Sequence, residues 1–196
     1  MIFSLIKKIF KKPMIKFIID AGHGGKDPGA VYKNLNEKDI VLKIALKIKE
    51  INSNCFLVRH SDNYIDLNER IRIINNLISE NRDYKILLSL HMNSGGATGA
   101  EIYYCKLNPY SEKAGIIGKR LIDSYCEKFQ LKNRGLKECL DAGRGYHFAM
   151  VRRPNIISLL LELAFIEKEG EYINSKTDEI AKFLNNFLSN LELLNS

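Results

Sequence analysis

Apolar and polar residues alternate along the chain with two periods, one typical of strands and the other of helices. Short apolar runs predict five strands, at residues 14–20, 55–59, 85–91, 100–105 and 157–165. Apolar residues three or four positions apart predict four helices, at residues 36–51, 68–81, 111–129 and 177–194, the last with Thr177 or Asp178 as its N-cap. Residues 130–156 are predicted to be rich in loops. The alternation predicts a single α/β domain with a mainly parallel, twisted sheet flanked by helices.

The first twelve residues, MIFSLIKKIFKK, have a different pattern. On a helix, their apolar side chains fall on one arc and their lysines on the other. Such a segment either contacts an anionic membrane or wall polymer peripherally, or packs its apolar side on the domain. It does not match a secretory signal, because its charges follow the apolar residues instead of preceding them. We therefore expect a basic amphipathic segment over residues 1–13, a domain over residues 14–196, and a protein made in the cytoplasm without a recognisable signal peptide.

The composition is that of a globular protein. Of 196 residues, 45% are hydrophobic and 27% are charged, which excludes a disordered or collagen-like chain. No apolar run reaches the roughly 18 residues that a membrane-spanning helix needs. The net charge of +7 is typical of proteins that meet polyanions, such as nucleic acids, anionic membranes or cell-wall polymers. Basic residues gather at 132–134 and 144–153, where either attraction to wall polymers or an ordinary solvated surface explains them.

The cysteines give no sign of a thiolate metal site. The four are Cys55, Cys105, Cys126 and Cys139. None forms a CxxC pair, and three of them lie within apolar or helical patterns. We expect reduced thiols that are buried as small apolar side chains, with a disulfide as the alternative.

Four polar residues are predicted to meet at one edge of the sheet. His23 and His91 each follow a predicted strand, and Glu162 lies within the last one, in the sequence LLLELAF. Glu37 begins the first helix, from which it can reach the same edge, where α/β proteins bind ligands. Two histidines and one carboxylate form a catalytic zinc set, and a second carboxylate can act as general base. Histidines in turns and a glutamate in the first turn of a helix are ordinary, but a carboxylate among leucines is costly unless it is paired or functional.

Six segments with the order and spacing found here resemble one enzyme family over nearly the whole domain. They are IIDAGHGGKDPGA, NEKDIVLKIA, LNERIRIIN, LLSLHMNS, GAEIYY and LLLELAFIE. Together they resemble the zinc-dependent N-acetylmuramoyl-L-alanine amidases of the amidase-3 type. The resemblance implies one Zn²⁺ held by His23, Glu37 and His91, with Glu162 as the catalytic base. It also implies that residues 14–196 form an amidase catalytic domain, which hydrolyses the amide between N-acetylmuramic acid and L-alanine.

The same resemblance implies peptidoglycan as the partner and action at the cell wall or in the periplasm. No targeting domain is visible, so we expect an endolysin-like lysis enzyme or a minimal amidase. Asn93 is a candidate substrate-binding residue, although a turn residue after a strand explains it as well. Glu167 and Lys168 depart from the family pattern, in which Ser-Asn is usual, and this affects the rim of the site.

Three other functions remain open. The domain could be a non-catalytic peptidoglycan-binding module of the same fold, or a zinc amidase for another peptide amide. A nucleic-acid binder is suggested by the charge alone and is not expected, because no nucleic-acid-binding motif is present.

Overall fold

The structure is a computed structural model that describes residues 15–139 and 148–191. Within them, strands and helices alternate in the order β1(Lys16–Ala21), β2(Val31–Tyr32), β3(Leu35–Asn36), α1(Glu37–Ile51), β4(Cys55–Leu57), α2(Leu67–Glu80), β5(Tyr84–Asn93), β6(Ala100–Tyr104), α3(Ser111–Phe129), β7(Asn133–Glu138), α4(Ala149–Arg152), β8(Ile157–Phe165), α5(Ile166–Ser175) and α6(Thr177–Ser189). The predicted α/β class is confirmed.

The main sheet has six strands in the order β4-β1-β5-β8-β6-β7. Its pairs are parallel except for β6 with β8, which are antiparallel. The carboxyl ends of β1, β5 and β8 therefore share one edge, and the amino ends of β6 and β7 lie at that same edge. This exception brings residues from the start of β6 beside residues from the end of β8.

Helices cover both faces of the sheet. One buried apolar cluster joins the sheet to α1, α3, α5 and α6, and a second joins the other face to α2 and α4. Burying both faces explains why the central strands are almost continuously apolar. The few polar residues inside these strands are thus conspicuous.

The structure corrects several details of the sequence prediction. The region predicted to be rich in loops contains β7 and α4, and β7 escaped prediction because its sequence, NRGLKE, lacks alternating apolar residues. The N-cap of α6 is Lys176, which makes no side-chain capping bond, so neither Thr177 nor Asp178 occupies that position. A short hairpin of β2 and β3, also not predicted, leads directly into α1.

Two other expectations can be compared with the described residues. All four cysteines are buried free thiols, as expected. None of the helices in the described part is long and apolar enough to cross a membrane. The amphipathic segment at residues 1–13 lies outside the described residues.

Candidate metal and catalytic site

The structure brings the three predicted metal ligands together at the carboxyl edge of the sheet. The Oε1 atom of Glu37 lies 3.1 Å from Nε2 of His23 and 2.9 Å from Nδ1 of His91. The potential ligand atoms of the three residues all lie within 4.8 Å of one another. Glu37 is buried at the start of α1, and its two oxygens also accept bonds from the backbone N–H groups of Met92 and Ala30.

His23 is oriented by a second carboxylate. Its Nδ1 atom lies 2.8 Å from Oδ2 of Asp27, which leaves Nε2 facing Glu37. A carboxylate on the far ring nitrogen is the usual way to fix a metal-binding histidine. His23 also has a φ of 60°, a left-handed conformation that is uncommon outside glycine and typical of strained functional sites.

Two buried arginines hold the loop that presents His23. Arg70 forms an ion pair with Asp20 at 2.6 Å and donates to the carbonyls of Ala21 and His23. Arg59 is fully buried and donates to the carbonyls of Ala21, Gly22 and Lys38. These bonds stabilise the strained loop. Sequence analysis missed the role of Arg59, whose signal was a charged residue at the end of the apolar run 55–59.

Glycines allow the backbone to approach the cluster closely. A Cβ atom on Gly22 would lie 2.3 Å from the ring of His91, and one on Gly29 would lie 2.5 Å from Oε2 of Glu37. Gly29 also has a φ of 67°. Any larger residue at either position would displace a predicted ligand.

Glu162 is placed beside this cluster by strand register. It pairs with His91 on β5 and with Glu101 on β6. Its Oε2 atom is buried and has no hydrogen-bond partner among residues 15–139 and 148–191. Burial raises the pKa of Glu162 to about 7, against the lowering effect of His91 and with support from the charges of Glu37 and Glu101. A carboxylate with a free oxygen and a pKa near neutrality is suited to accept and release protons.

Hydrogen bonds and charges within the cluster shift the pKa values of its three residues. Burial lowers the pKa of His23, but hydrogen bonding to Glu37 and Asp27 outweighs it and raises this pKa to about 9. The pKa of His91 is also raised, because the charges of Glu37 and Glu162 exceed the effect of burial. Glu37 has its pKa held well below the usual range: burial would raise it, but its bonds to the two histidines dominate.

A second buried carboxylate, Glu101, lies across from Glu162 and was missed by sequence analysis. It accepts bonds from Asn93 at 2.7 Å, from Tyr103 at 2.8 Å and from Nε of Arg134 at 2.6 Å, and it pairs with Lys137. The amide of Asn93, the predicted substrate-binding residue, is thus held by Glu101. An acid within the apolar strand AEIYY was the available signal.

Two of the three glutamates of α5 hold the loop that follows β5. Glu167 accepts a bond from the N–H of Gly95 at 2.9 Å, and Glu169 accepts one from Gly99 at 2.9 Å. The departure from the family pattern at Glu167 therefore has a structural role at the rim of the site.

The donors present fit a divalent metal ion. Two imidazoles and one carboxylate converge with their ligand atoms close together, and the distal nitrogen of His23 is already bonded to Asp27. Three protein ligands that leave a position open are typical of catalytic metal sites. The orphaned oxygen of Glu162 lies beside this group and not within it. Metal binding by three residues and proton transfer by a fourth is the chemistry that this arrangement can perform.

Comparisons with known proteins agree with this arrangement. A family model described as N-acetylmuramoyl-L-alanine amidase matches residues 17–189. The sporulation-specific N-acetylmuramoyl-L-alanine amidase of Bacillus subtilis (strain 168) is 33% identical over 179 residues, which cover 87% of this chain and 64% of that protein. The endolysin of Bacillus phage SPP1 is 32% identical over 176 residues, covering 85% of this chain and 59% of that one. The chain thus spans about three fifths of the length of these relatives.

Solved structures show the same fold. The N-acetylmuramoyl-L-alanine amidase from Clostridium difficile 630 superposes with a TM-score of 0.75 at 25% identity, over 90% of this chain and 96% of that one. The catalytic domain of CwlV from Bacillus (Paenibacillus) polymyxa var. colistinus gives a TM-score of 0.72 at 24% identity, over 88% of this chain and 94% of that one. With the family model matching most of its length, the chain belongs to the N-acetylmuramoyl-L-alanine amidase family of the amidase-3 type.

Proposed function

We propose that this protein is a zinc-dependent N-acetylmuramoyl-L-alanine amidase. It hydrolyses the amide between N-acetylmuramic acid and L-alanine in peptidoglycan. The observation that supports this most is the orphaned, buried Oε2 of Glu162 beside the convergent His23, Glu37 and His91. An unpaired buried carboxylate is costly, so its retention next to a metal-ligand group favours a catalytic role.

The proposed mechanism divides the work between two sets of residues. His23, Glu37 and His91 would hold the zinc ion, with Asp27 fixing the ring of His23. A zinc ion there would supply Lewis acidity, which can lower the pKa of water to about 7 and polarise a carbonyl. Glu162 accepts the proton of the attacking water and then donates it to the leaving amine of L-alanine. In the metal-free chain, burial raises the pKa of Glu162 to about 7, which favours its uptake of a proton.

The biological setting is part of the same proposal. The substrate is the cell wall, so the protein acts at the wall or in the periplasm, in lysis or remodelling. An endolysin-like role is supported by the similarity to the endolysin of a Bacillus phage. For residues 1–13 we propose peripheral contact with an anionic membrane or wall polymer, based on the separation of apolar residues and lysines along this segment.

Product analysis tests the proposed reaction. Purified peptidoglycan is digested, and the products are examined by mass spectrometry and end-group labelling. The expected products have new L-alanine amino termini and no new reducing sugars. Chelation with phenanthroline should stop their release, and added zinc should restore it. A protein that binds the wall without releasing products would be a non-catalytic module, and other new termini would indicate another peptide amide.

A further inference from the structure

Beyond the metal ligands and Glu162, two cations share one carboxylate at the same edge of the sheet. Arg134 and Lys137, both on β7, pair with the same Oε2 atom of Glu101. The three charges leave this group with a net charge of +1. Among the described residues, Glu101 is the only hydrogen-bond acceptor that contacts either cation. Most of the hydrogen-bond donors of the two cations therefore have no acceptor within the described residues.

The two cations are accessible and held in position. Their side chains are 28% and 34% exposed, whereas Glu101 beneath them is only 3% exposed. The guanidinium group of Arg134 lies over the ring of Phe165, 5.0 Å from its centroid, and Lys137 lies 5.8 Å from the centroid of the Tyr103 ring. Ordering these long side chains in advance reduces the entropy lost when they bind a ligand.

The cation pair is next to the proposed general base. Glu101 and Glu162 are register partners on antiparallel strands, so their Cβ atoms are separated by about 5 Å. Because β7 lies next to β6, a peptide that continues from a scissile amide at Glu162 across Glu101 runs toward β7. An anionic group within a residue or two of the amide would then meet Arg134 and Lys137.

We propose that Arg134 and Lys137 form a subsite for a carboxylate of the substrate's peptide, and that Glu101 is the positioning residue that fixes both cations. This inference rests on the proposed function, because it takes the stem peptide of peptidoglycan as the ligand. A planar guanidinium with free N–H groups beside an ammonium matches a carboxylate in both geometry and charge. The subsite favours substrates with a free carboxylate on the residue that follows L-alanine.

A pair of substrates that differ in one group tests the subsite. N-acetylmuramoyl-L-alanyl-D-glutamic acid carries the free carboxylate, and its α-amide counterpart does not. The full chain loaded with zinc should cleave the acid with a kcat/KM about 10- to 100-fold above that of the amide, the range expected for a charged hydrogen bond. The difference should lie mainly in KM.

Variants of the two cations should remove this preference. Arg134→Met and Lys137→Met should each lower kcat/KM for the acid more than for the amide, so that the ratio moves toward one. Arg120→Met and Lys128→Met are matched controls, since they remove the same charges from exposed positions on α3, which packs on the other face of the sheet. Both controls should keep the wild-type ratio. Equal cleavage of acid and amide by the wild type, or an equal loss on both substrates in the variants, would overturn the subsite.

Glu101→Gln tests the positioning role. Losing the shared anion frees both cations, so the preference for the acid should fall while the zinc content stays unchanged. If this variant does not fold, Lys137→Met still tests the subsite. The Lys137 side chain is partly exposed, and its loss leaves Arg134 paired with Glu101. A folded Glu101→Gln variant with the full acid preference would show that Glu101 does not position the pair.

Binding measurements separate this inference from the proposed function. The Glu162→Gln variant should bind the acid more tightly than the amide by calorimetry, and adding Arg134→Met should equalise the two affinities. If the wild type cleaves neither peptide but this affinity difference is present, the amidase function fails and the subsite stands. If both are cleaved and bound equally, the function stands and the subsite fails.

Discussion

Glu101 and Glu162 face each other on neighbouring strands, yet their surroundings are opposite. Glu101 receives hydrogen bonds from an amide, a phenol and two cations. Glu162 has a buried oxygen without a hydrogen-bond partner in the described part of the chain. Burial raises the pKa of both carboxyl groups, but the bonds to Lys137, Arg134 and Tyr103 reverse this for Glu101 and leave its pKa lowered. For Glu162 nothing reverses it, and its pKa is raised to about 7.

These surroundings favour different roles for the two carboxylates, although both lie at the same edge of the sheet. A carboxylate whose oxygens are all engaged stays ionised and holds its partners in place. A carboxylate with a free oxygen is less favourable for folding and can exchange protons with a substrate. Loss of Glu101 should therefore weaken the fold and the alignment of the site, and loss of Glu162 should stop the reaction.

Removing a proposed metal ligand should have the largest effect. His91→Ala takes away one imidazole of the triad and the group that pairs with Glu162. The metal content should fall from roughly one ion per chain to none, and hydrolysis should fall to background. Elemental analysis and turbidity loss of wall suspensions measure the two effects. His60→Ala, which changes an exposed histidine, is the control. A His91→Ala variant with full metal and full rate would refute the ligand assignment.

Neutralising Glu101 should destabilise the protein. In Glu101→Gln, two cations lose their shared anion, and the expected loss of unfolding free energy at pH 7 is about 2–4 kcal/mol. Because the pKa of Glu101 is lowered on folding, its contribution is present above the unfolded pKa near 4.5 and disappears as the pH falls through the folded value. Urea unfolding at pH 7 and pH 3 measures this. An equal loss at both pH values would contradict the ionic explanation.

Glu162→Gln should stabilise the metal-free protein, in contrast to Glu101→Gln. The folded pKa of about 7 exceeds the ordinary value of 4.5, so the folded state binds more protons between these values and the wild type loses stability as the pH rises through this window. The variant should match the wild type near pH 4 and exceed it by up to about 3 kcal/mol near pH 8. Urea unfolding with chelator present measures the gap. A gap that does not change with pH would contradict the raised pKa.

Deleting residues 1–12 should not change the surroundings of Glu101 and Glu162, because every site residue lies beyond this segment. The rate of hydrolysis of soluble wall fragments should therefore stay the same. Binding to anionic vesicles should weaken, since each surface lysine contributes about 1 kcal/mol near an anionic leaflet. Co-sedimentation at low and high salt measures this, with neutral vesicles as the control. Equal binding by both chains, or a large loss of thermal stability on deletion, would favour packing on the domain instead.

The sequence predicts the site best where strands are parallel. His23, His91 and Glu162 follow or lie within apolar runs, and the carboxyl ends of parallel strands share one edge, so their meeting was predictable. The position of Glu101 beside Glu162 is not predictable in this way, because hydrophobic patterns do not give the direction of a strand. β6 runs antiparallel to β8, which brings its first residues to the site.

Two further features are not predicted from the sequence, for related reasons. The polar edge strand β7 lacks alternating apolar residues, so the sequence predicts a loop-rich region where Arg134 and Lys137 lie. Arg59 follows a strand, but its partners are backbone carbonyls of the loop after β1, which no side-chain pattern identifies. Long-range hydrogen bonds of this kind depend on the tertiary fold.

The most direct test of the account measures metal content and turnover together in Glu162→Gln. We predict that the variant retains roughly one zinc ion per chain and loses about two to four decades of kcat, the scale of a lost general base. Glu171→Gln, at an exposed position of α5, should match the wild type in both measurements. Loss of zinc from Glu162→Gln would make Glu162 a ligand, and retention of the full rate would mean that it is not the base.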